Sequence, residues 1–217
     1  VLALLPGSRQ SELNYMAKTF VRTAKIAHER LTQAPFLVPL ISRETRDIFE
    51  RTLYEEEAQE LPLTILFGHA REAIAAADAV LVASGTATLE TALLRKPMVV
   101  TYKMADLSWR IMSLMHYQPY VGLPNIIAGE FIVPELLQDD ATPENLAQAL
   151  LNVHNDPAVR GRLPARLAEI HLSLRQDAAA RAASEAKAKE AQGAADQARA
   201  EVERLGGRLA EAGAAAE

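Results

Sequence analysis

The residues able to do chemistry fall in a few short stretches. Ser84-Gly85-Thr86-Ala87-Thr88 separates an apolar run, Ala79 to Ala83, from a helical segment that starts near Leu89. Small side chains at a helix start leave backbone N–H groups uncovered, and the helix dipole adds partial positive charge there. Such a turn suits a phosphate or diphosphate. It equally suits a plain sharp turn, with Gly85 for the bend and Thr86 or Thr88 as the cap. Arg9 follows Pro6-Gly7-Ser8. A guanidinium there suits the β-phosphate of a leaving nucleotide, or simple pairing with Glu12. Glu90 lies just inside the helix after the small-residue turn. A carboxylate there accepts two hydrogen bonds from a ribose diol, or merely balances the helix dipole. His69, after Gly68, suits a base or phosphate contact, or a structural role. Asn125, within Leu123-Pro124-Asn125, holds a loop or a ligand. Glu135 and Gln138 are expected on one side of a short helical turn, Pro134 to Leu137, facing the same cleft. Tyr102 and Lys103 end a strand.

Other chemistries find no support. No His, Asp or Glu cluster has metal-ligand spacing, and Asp139-Asp140 precedes a helix cap. There is no G-x-S-x-G elbow and no G-x-G-x-x-G fingerprint. The turn at Ser84 lacks the Gly-Lys-Ser/Thr of a P-loop, which argues against hydrolysis of a nucleoside triphosphate. No metal and no cofactor is expected.

The positioning elements alternate. Apolar runs at Val1–Leu5, Phe36–Ile41, Leu63–Phe67, Ala79–Ala83 and Met98–Tyr102 read as strands buried on both faces. Helices are expected between them, over Glu12–Leu31, Ser42–Ala58, Ala70–Ala76 and Leu89–Arg95. In the first, Leu13, Met16, Phe20, Ala24, Ala27 and Leu31 share a face. In the second, Ile48 and Leu53 point inward. A helix over Asp106–His116 follows, then an irregular stretch from Gln118 to Gly129. Thr142-Pro143-Glu144 starts a helix running to Asn155. Asp156-Pro157 breaks it, and a last helix starts near Ala158 or Pro164. This is an α/β pattern for a doubly wound parallel sheet. Ligands of such sheets bind at the strands' carboxyl ends. The loops Pro6–Arg9, Gly68–Ala70 and Ser84–Thr88 should therefore share one rim.

The chain has 217 residues, net charge -5 and no Cys. It has no global electrostatic pull towards nucleic acid. Disulfides and thiolate metal sites are excluded, which suits a reducing compartment. No apolar run reaches membrane-spanning length, so any membrane contact is expected to be peripheral. The chain opens on an apolar run without an initiator Met, and reads as a piece of a longer protein. Residues 1–176 are expected to form one domain. Residues 177–217 are expected to form an Ala-rich helical tail. Ala188, Ala191, Ala195, Ala198, Val202, Leu205, Leu209 and Ala212 make a heptad seam in it, broken by Gly206-Gly207. A solvent helix and a coiled-coil contact between copies of the chain are the two alternatives.

Five motifs identify a family in combination. They are LLPGSRQSE (Leu4–Glu12), AVLVASGTATLE (Ala79–Glu90), KPMVVTYK (Lys96–Lys103), GLPNIIAG (Gly122–Gly129) and VPELLQ (Val133–Gln138). In that order they resemble the C-terminal half of the lipid-A-disaccharide synthase family, and LRQDA (Leu174–Ala178) resembles its last helix. The resemblance covers roughly the first 183 residues and excludes the Ala-rich tail. It implies a GT-B glycosyltransferase whose second Rossmann-like domain holds the UDP part of the donor. The implied reaction moves diacylglucosamine from UDP-2,3-diacylglucosamine to 2,3-diacylglucosamine 1-phosphate with inversion. It leaves UDP and a β-1,6-linked lipid A disaccharide phosphate. The resemblance puts Ser84, Gly85, Thr86, Ala87 and Thr88 on the diphosphate and Glu90 on the ribose. It puts Arg9 on the leaving phosphate, Gly68 and His69 at the uracil edge, and Asn125 and Gln138 along the cleft. The general base and the acceptor pocket belong to the other half.

The implied setting is cytoplasmic and peripheral, on the inner face of the inner membrane. Leu107, Ile111, Leu114 and Met115, widened by Trp109 and Met112, make Asp106–His116 the expected bilayer contact, with packing on the sheet or the other half as the alternative. Two further readings are a different UDP-sugar enzyme of the same fold and a non-catalytic module assembling through its tail.

Overall fold

The computed structural model describes residues 1–105 and 119–176, together with Ala178. Asp106–His116, with Trp109, and all but Ala178 of the 177–217 tail lie outside the described residues. One compact unit spans Val1–His171, and Leu172–Glu217 are grouped apart from it.

Six strands form one parallel sheet: β1 (Leu2–Leu5), β2 (Phe36–Leu40), β3 (Leu63–Phe67), β4 (Ala79–Ala83), β5 (Met98–Tyr102) and β6 (Glu135–Leu137). Their spatial order is β3-β2-β1-β4-β5-β6. Every residue of β1 and β4 is buried, which is why those runs carry no polar alternation. β3 is an edge strand, and its Phe67 is exposed. The β1–β2 register ends at Ala3↔Leu37, below Pro39. Phe36 donates its N–H to Pro62 and Leu40 accepts from Gly68, so Phe36, Val38 and Leu40 face β3. Pro39 therefore faces β1 and has no N–H to continue that ladder.

The helices lie on both sheet faces. α1 (Gln10–Arg30) and α2 (Arg43–Glu55) lie on one side with α6 (Pro143–Asn155). α3 (Ala70–Ala76), α4 (Thr86–Leu93) and α5 (Leu123–Ala128) neighbour each other on the other. The expected face of α1 is the buried one: Leu13, Met16, Phe20, Ala24 and Ala27 are fully enclosed. Leu31 follows the helix as its C-cap. α2 begins after Ser42, whose hydroxyl accepts from the Thr45 N–H, and stops at Glu55, short of Ala58. Its deepest side chain is Phe49, with Ile48 and Leu53 only partly buried beside it. α6 starts as its cap and Pro dictate, with the Thr142 hydroxyl accepting from the Asn145 N–H. A last helix, α7 (157–171 within this unit), begins directly after Asp156, whose carboxylate accepts from the Ala158 N–H.

Two expectations are corrected. Pro134–Leu137 is not a helical turn: Glu135–Leu137 are β6, in register with Val100, Thr101 and Tyr102. β5 would otherwise present a bare edge, and three extended residues suffice to pair it. The stretch Gln118–Gly129 is not irregular throughout. Within it Gly122 caps α5, Pro124 sits in the first turn and Gly129 closes it at φ 69. The Pro and Gly density there punctuates a short helix.

Candidate functional site

β1 and β4 are sheet neighbours whose chains leave in opposite directions, towards β2 and β5 respectively. A crevice at their carboxyl ends is the expected ligand position in such sheets. A cavity of about 390 Å³ lies there. Gly7, Ser8, Arg9 and Glu12 form one wall, and Ser84, Gly85, Thr86, Ala87 and Glu90 the other. Leu5 and Ala83 form part of its base, with Pro39, Ile41, Ala70 and Tyr102 at the sides. A larger groove of about 550 Å³ runs between α2 and β3. It lies away from the switch point and includes no helix start, so the smaller cavity is the candidate site.

The β4–α4 wall is an uncapped helix start. α4 begins at Thr86, not Leu89, with Gly85 as its N-cap and no side-chain cap. Gly85 has φ 152 and ψ -165. That conformation is essentially open to Gly alone. Neither Thr caps. Thr88 is fully buried, and its hydroxyl donates to the Gly85 carbonyl at 2.7 Å, as its N–H does at 3.1 Å. The expected contact of Thr88 with a diphosphate is thus corrected: its donors are used inside the turn. Ser84 gives its N–H to the Thr101 carbonyl and its hydroxyl to the Val121 carbonyl. The N–H groups of Thr86 and Ala87 are those that a helix start leaves without an intrahelical partner. Glu90 is exposed and lies one turn further along the same wall.

The β1–α1 wall carries the cation. The Arg9 side chain is 78% exposed, and its Nη1 lies 3.4 Å from Glu12 Oε1. The expected pairing is present, yet loose. Glu12 is 14% exposed and also accepts the backbone N–H groups of Ser8 at 2.8 Å and Arg9 at 3.3 Å. Sequence reasoning treated Glu12 only as a partner of Arg9. Its place three residues after the N-cap was the available signal for a loop-holding role.

The remaining expected residues lie elsewhere. Gly68 and His69 both take left-handed backbone, at φ 73 and 54. Ala70 reaches the cavity wall, but Gly68 and His69 do not line it. The His69 ring is exposed, 3.7 Å from Glu72. Asn125 does not line the cleft. It is fully buried, accepts from the N–H groups of Ile132 and Val133, and donates to the Val133 carbonyl and Glu135. Glu135 also accepts from Val121 and Gly122. Gln138 is no wall residue either. It grips Met104 by both backbone groups, at 2.7 and 3.1 Å. Asn125 and Gln138 are loop clamps, because each side chain's hydrogen-bonding groups are already engaged by backbone. Among the described residues no His, Asp or Glu group of three could hold a metal ion.

Strand order and switch-point cleft together define a Rossmann-like α/β domain. A solved Staphylococcus aureus TarM mutant, described in complex with UDP, shares this fold. It has a TM-score of 0.55 and 9% identity over 79% of this chain and 32% of its own. At that identity only the fold is shared ground. A family model for lipid-A-disaccharide synthetase matches residues 1–188, and the chain belongs to that family. The lipid-A-disaccharide synthase of Dechloromonas aromatica is 56% identical over 84% of this chain and 48% of its own length. That of Methylobacillus flagellatus is 53% identical over 84% and 48%, and that of Cellvibrio japonicus 45% over 84% and 47%. The chain thus spans about half the length of these relatives.

Proposed function

We propose that this chain is the donor-binding half of a glycosyltransferase that moves 2,3-diacylglucosamine from UDP to 2,3-diacylglucosamine 1-phosphate. The observation that carries the reading is the cavity itself. An uncapped helix start and a loosely held guanidinium face each other across the switch point of a chain from this family. The diphosphate lies along Gly85, Thr86 and Ala87, with Arg9 opposite and Glu90 on the ribose diol. In the transfer, the bond from the anomeric carbon to the β-phosphate oxygen breaks as the acceptor 6-hydroxyl oxygen bonds that carbon. The hydroxyl proton passes to a base in the other half, and UDP leaves with the electron pair. Arg9 and the α4 dipole stabilise the charge that develops on the β-phosphate. This half alone therefore binds UDP without transferring sugar.

Donor and acceptor both carry acyl chains, so the whole enzyme works on the inner face of the inner membrane as a peripheral protein. Among the described residues no helix is long and apolar enough to cross a membrane. Division of the chain into a domain over 1–176 and a tail over 177–217 belongs to the same reading, as does the tail's role as a contact between copies.

Calorimetric titration with UDP in a chelating buffer tests it. Binding at one site per chain is expected without metal, because Arg9 and the helix start take the cation's place. Affinity that vanishes in chelator and returns with magnesium would refute the metal-free site. No binding under either condition would remove the donor reading.

A further inference from the structure

Three helices start at the cavity, α1, α3 and α4, and α1 differs from α4 in having a side chain folded back onto the backbone at its start. At α4 no side chain covers the first N–H groups. At α1 the Glu12 carboxylate folds back and takes the N–H groups of Ser8 and Arg9 on a single oxygen, Oε2. Its other oxygen faces the Arg9 guanidinium. The space for this comes from Gly7, at φ +126: a Cβ there would lie 2.6 Å from Glu12 Oε2 and 2.7 Å from its Cβ. The Pro6–Arg9 loop is therefore built around one carboxylate. That carboxylate is mostly enclosed and lines the cavity opposite Gly85 and Thr86.

An acid beside a diphosphate site repels the ligand unless its charge is engaged. Glu12 is engaged by two amides and the start of a helix dipole. We propose that Glu12 is a positioning residue of the donor site. It holds the Pro6–Arg9 backbone so that Arg9 meets the phosphate held at the start of α4. The inference rests on the donor reading above. What Glu12 supplies is reach to the Ser8 and Arg9 amides. Its charge on Arg9 matters little, because that pair is long and solvent-exposed. The guanidinium remains available to the phosphate.

The test measures UDP affinity for the 217-residue chain by calorimetry. The variants are Glu12→Gln, Glu12→Asp, Glu12→Ala, Arg9→Ala and the double variant of Arg9→Ala with Glu12→Ala. Arg9→Ala and Glu12→Ala should each weaken UDP about tenfold, the worth of one charge-assisted hydrogen bond. The double variant should be no weaker than either single one, because an unpositioned Arg9 has nothing left to lose. Glu12→Gln keeps an acceptor at the same reach and should bind within about twofold of the parent. Glu12→Asp keeps the charge but falls one methylene short, and should lose affinity as the Ala variant does. If Glu12→Ala does not fold, the Gln and Asp variants decide the matter by themselves. Exchange of the Ser8 and Arg9 amides should be slow in the parent and the Gln variant, and fast in the Asp variant. A simple structural role would weaken stability without coupling to Arg9. Losses that multiply in the double variant, or an Asp variant that binds as the parent does, overturn the proposal while leaving the UDP site standing. A parent chain that does not bind UDP overturns both.

Discussion

Gly85→Ala is the sharpest single test of the α4 turn. A Cβ built on Gly85 meets no heavy atom within 4 Å, so no steric contact opposes the new methyl. The whole cost is backbone. At φ 152 and ψ -165 the turn lies in a region that non-Gly residues enter only at about 1–3 kcal/mol. The folded state should therefore lose about 2 kcal/mol, equivalent to roughly 4–8 °C in Tm for a chain of this size. If the turn relaxes instead, the Thr86 N–H turns away from the cavity and UDP binding falls by more than about tenfold. Gly161 is the matched control. It lies in α7, is exposed, and its built Cβ also meets nothing within 4 Å. Its helical backbone suits Ala, so Gly161→Ala should stabilise by about 0.5–1 kcal/mol and leave UDP binding alone. Urea unfolding of both variants, with a common m-value, gives the two signs directly. Equal shifts for the two substitutions, or an unperturbed Gly85→Ala, would refute the claim that strain at Gly85 aims this helix start.

Three further outcomes are expected. Glu90→Ala should weaken UDP binding by about 1–3 kcal/mol through loss of a charged acceptor for the ribose, and an unchanged affinity removes Glu90 from the site. Asn125→Leu removes the acceptor of two loop N–H groups and should destabilise by about 3 kcal/mol in urea unfolding, while a loss below about 1 kcal/mol would show the loop repairs itself. Glu56 joins α1 to the end of α2: Arg22 and Lys18 reach its carboxylate at 2.6 and 3.1 Å, and the Arg22 hydrogen bond above all lowers its pKa. Its stabilisation is then present above the unfolded glutamate value, about 4.3, and is lost as pH falls through the lowered folded value. Glu56→Gln should flatten the urea midpoint against pH in that acid window, and a profile identical to the parent would exclude Glu56 as a contributor.

Local sequence determined the parts whose signals are local. Uninterrupted Val-rich runs gave β4 and β5 because a strand buried on both faces needs no alternation. The spacing from Leu13 to Ala27 gave the inner face of α1, and Thr142-Pro143 gave the start of α6. The small-residue turn and Arg9 were legible as one rim because carboxyl ends of parallel strands share a side. Tertiary structure decided what depends on distant partners. β6 is three residues long and exists through its ladder with β5, which no periodicity within Glu135–Leu137 can announce. Asn125 and Gln138 carry the polar groups that a ligand site uses, yet here they clamp backbone brought near by the fold. Thr88 reads as a phosphate contact in sequence, but the helix begins two residues before it, which turns its hydroxyl back onto Gly85. Glu12 looked like a surface partner for Arg9 until Gly7's bend brought the loop amides onto its carboxylate. Residue types name the candidate chemistry. Which candidates face the cavity depends on where the backbone spends its unpaired N–H and C=O groups, and only the folded chain settles that.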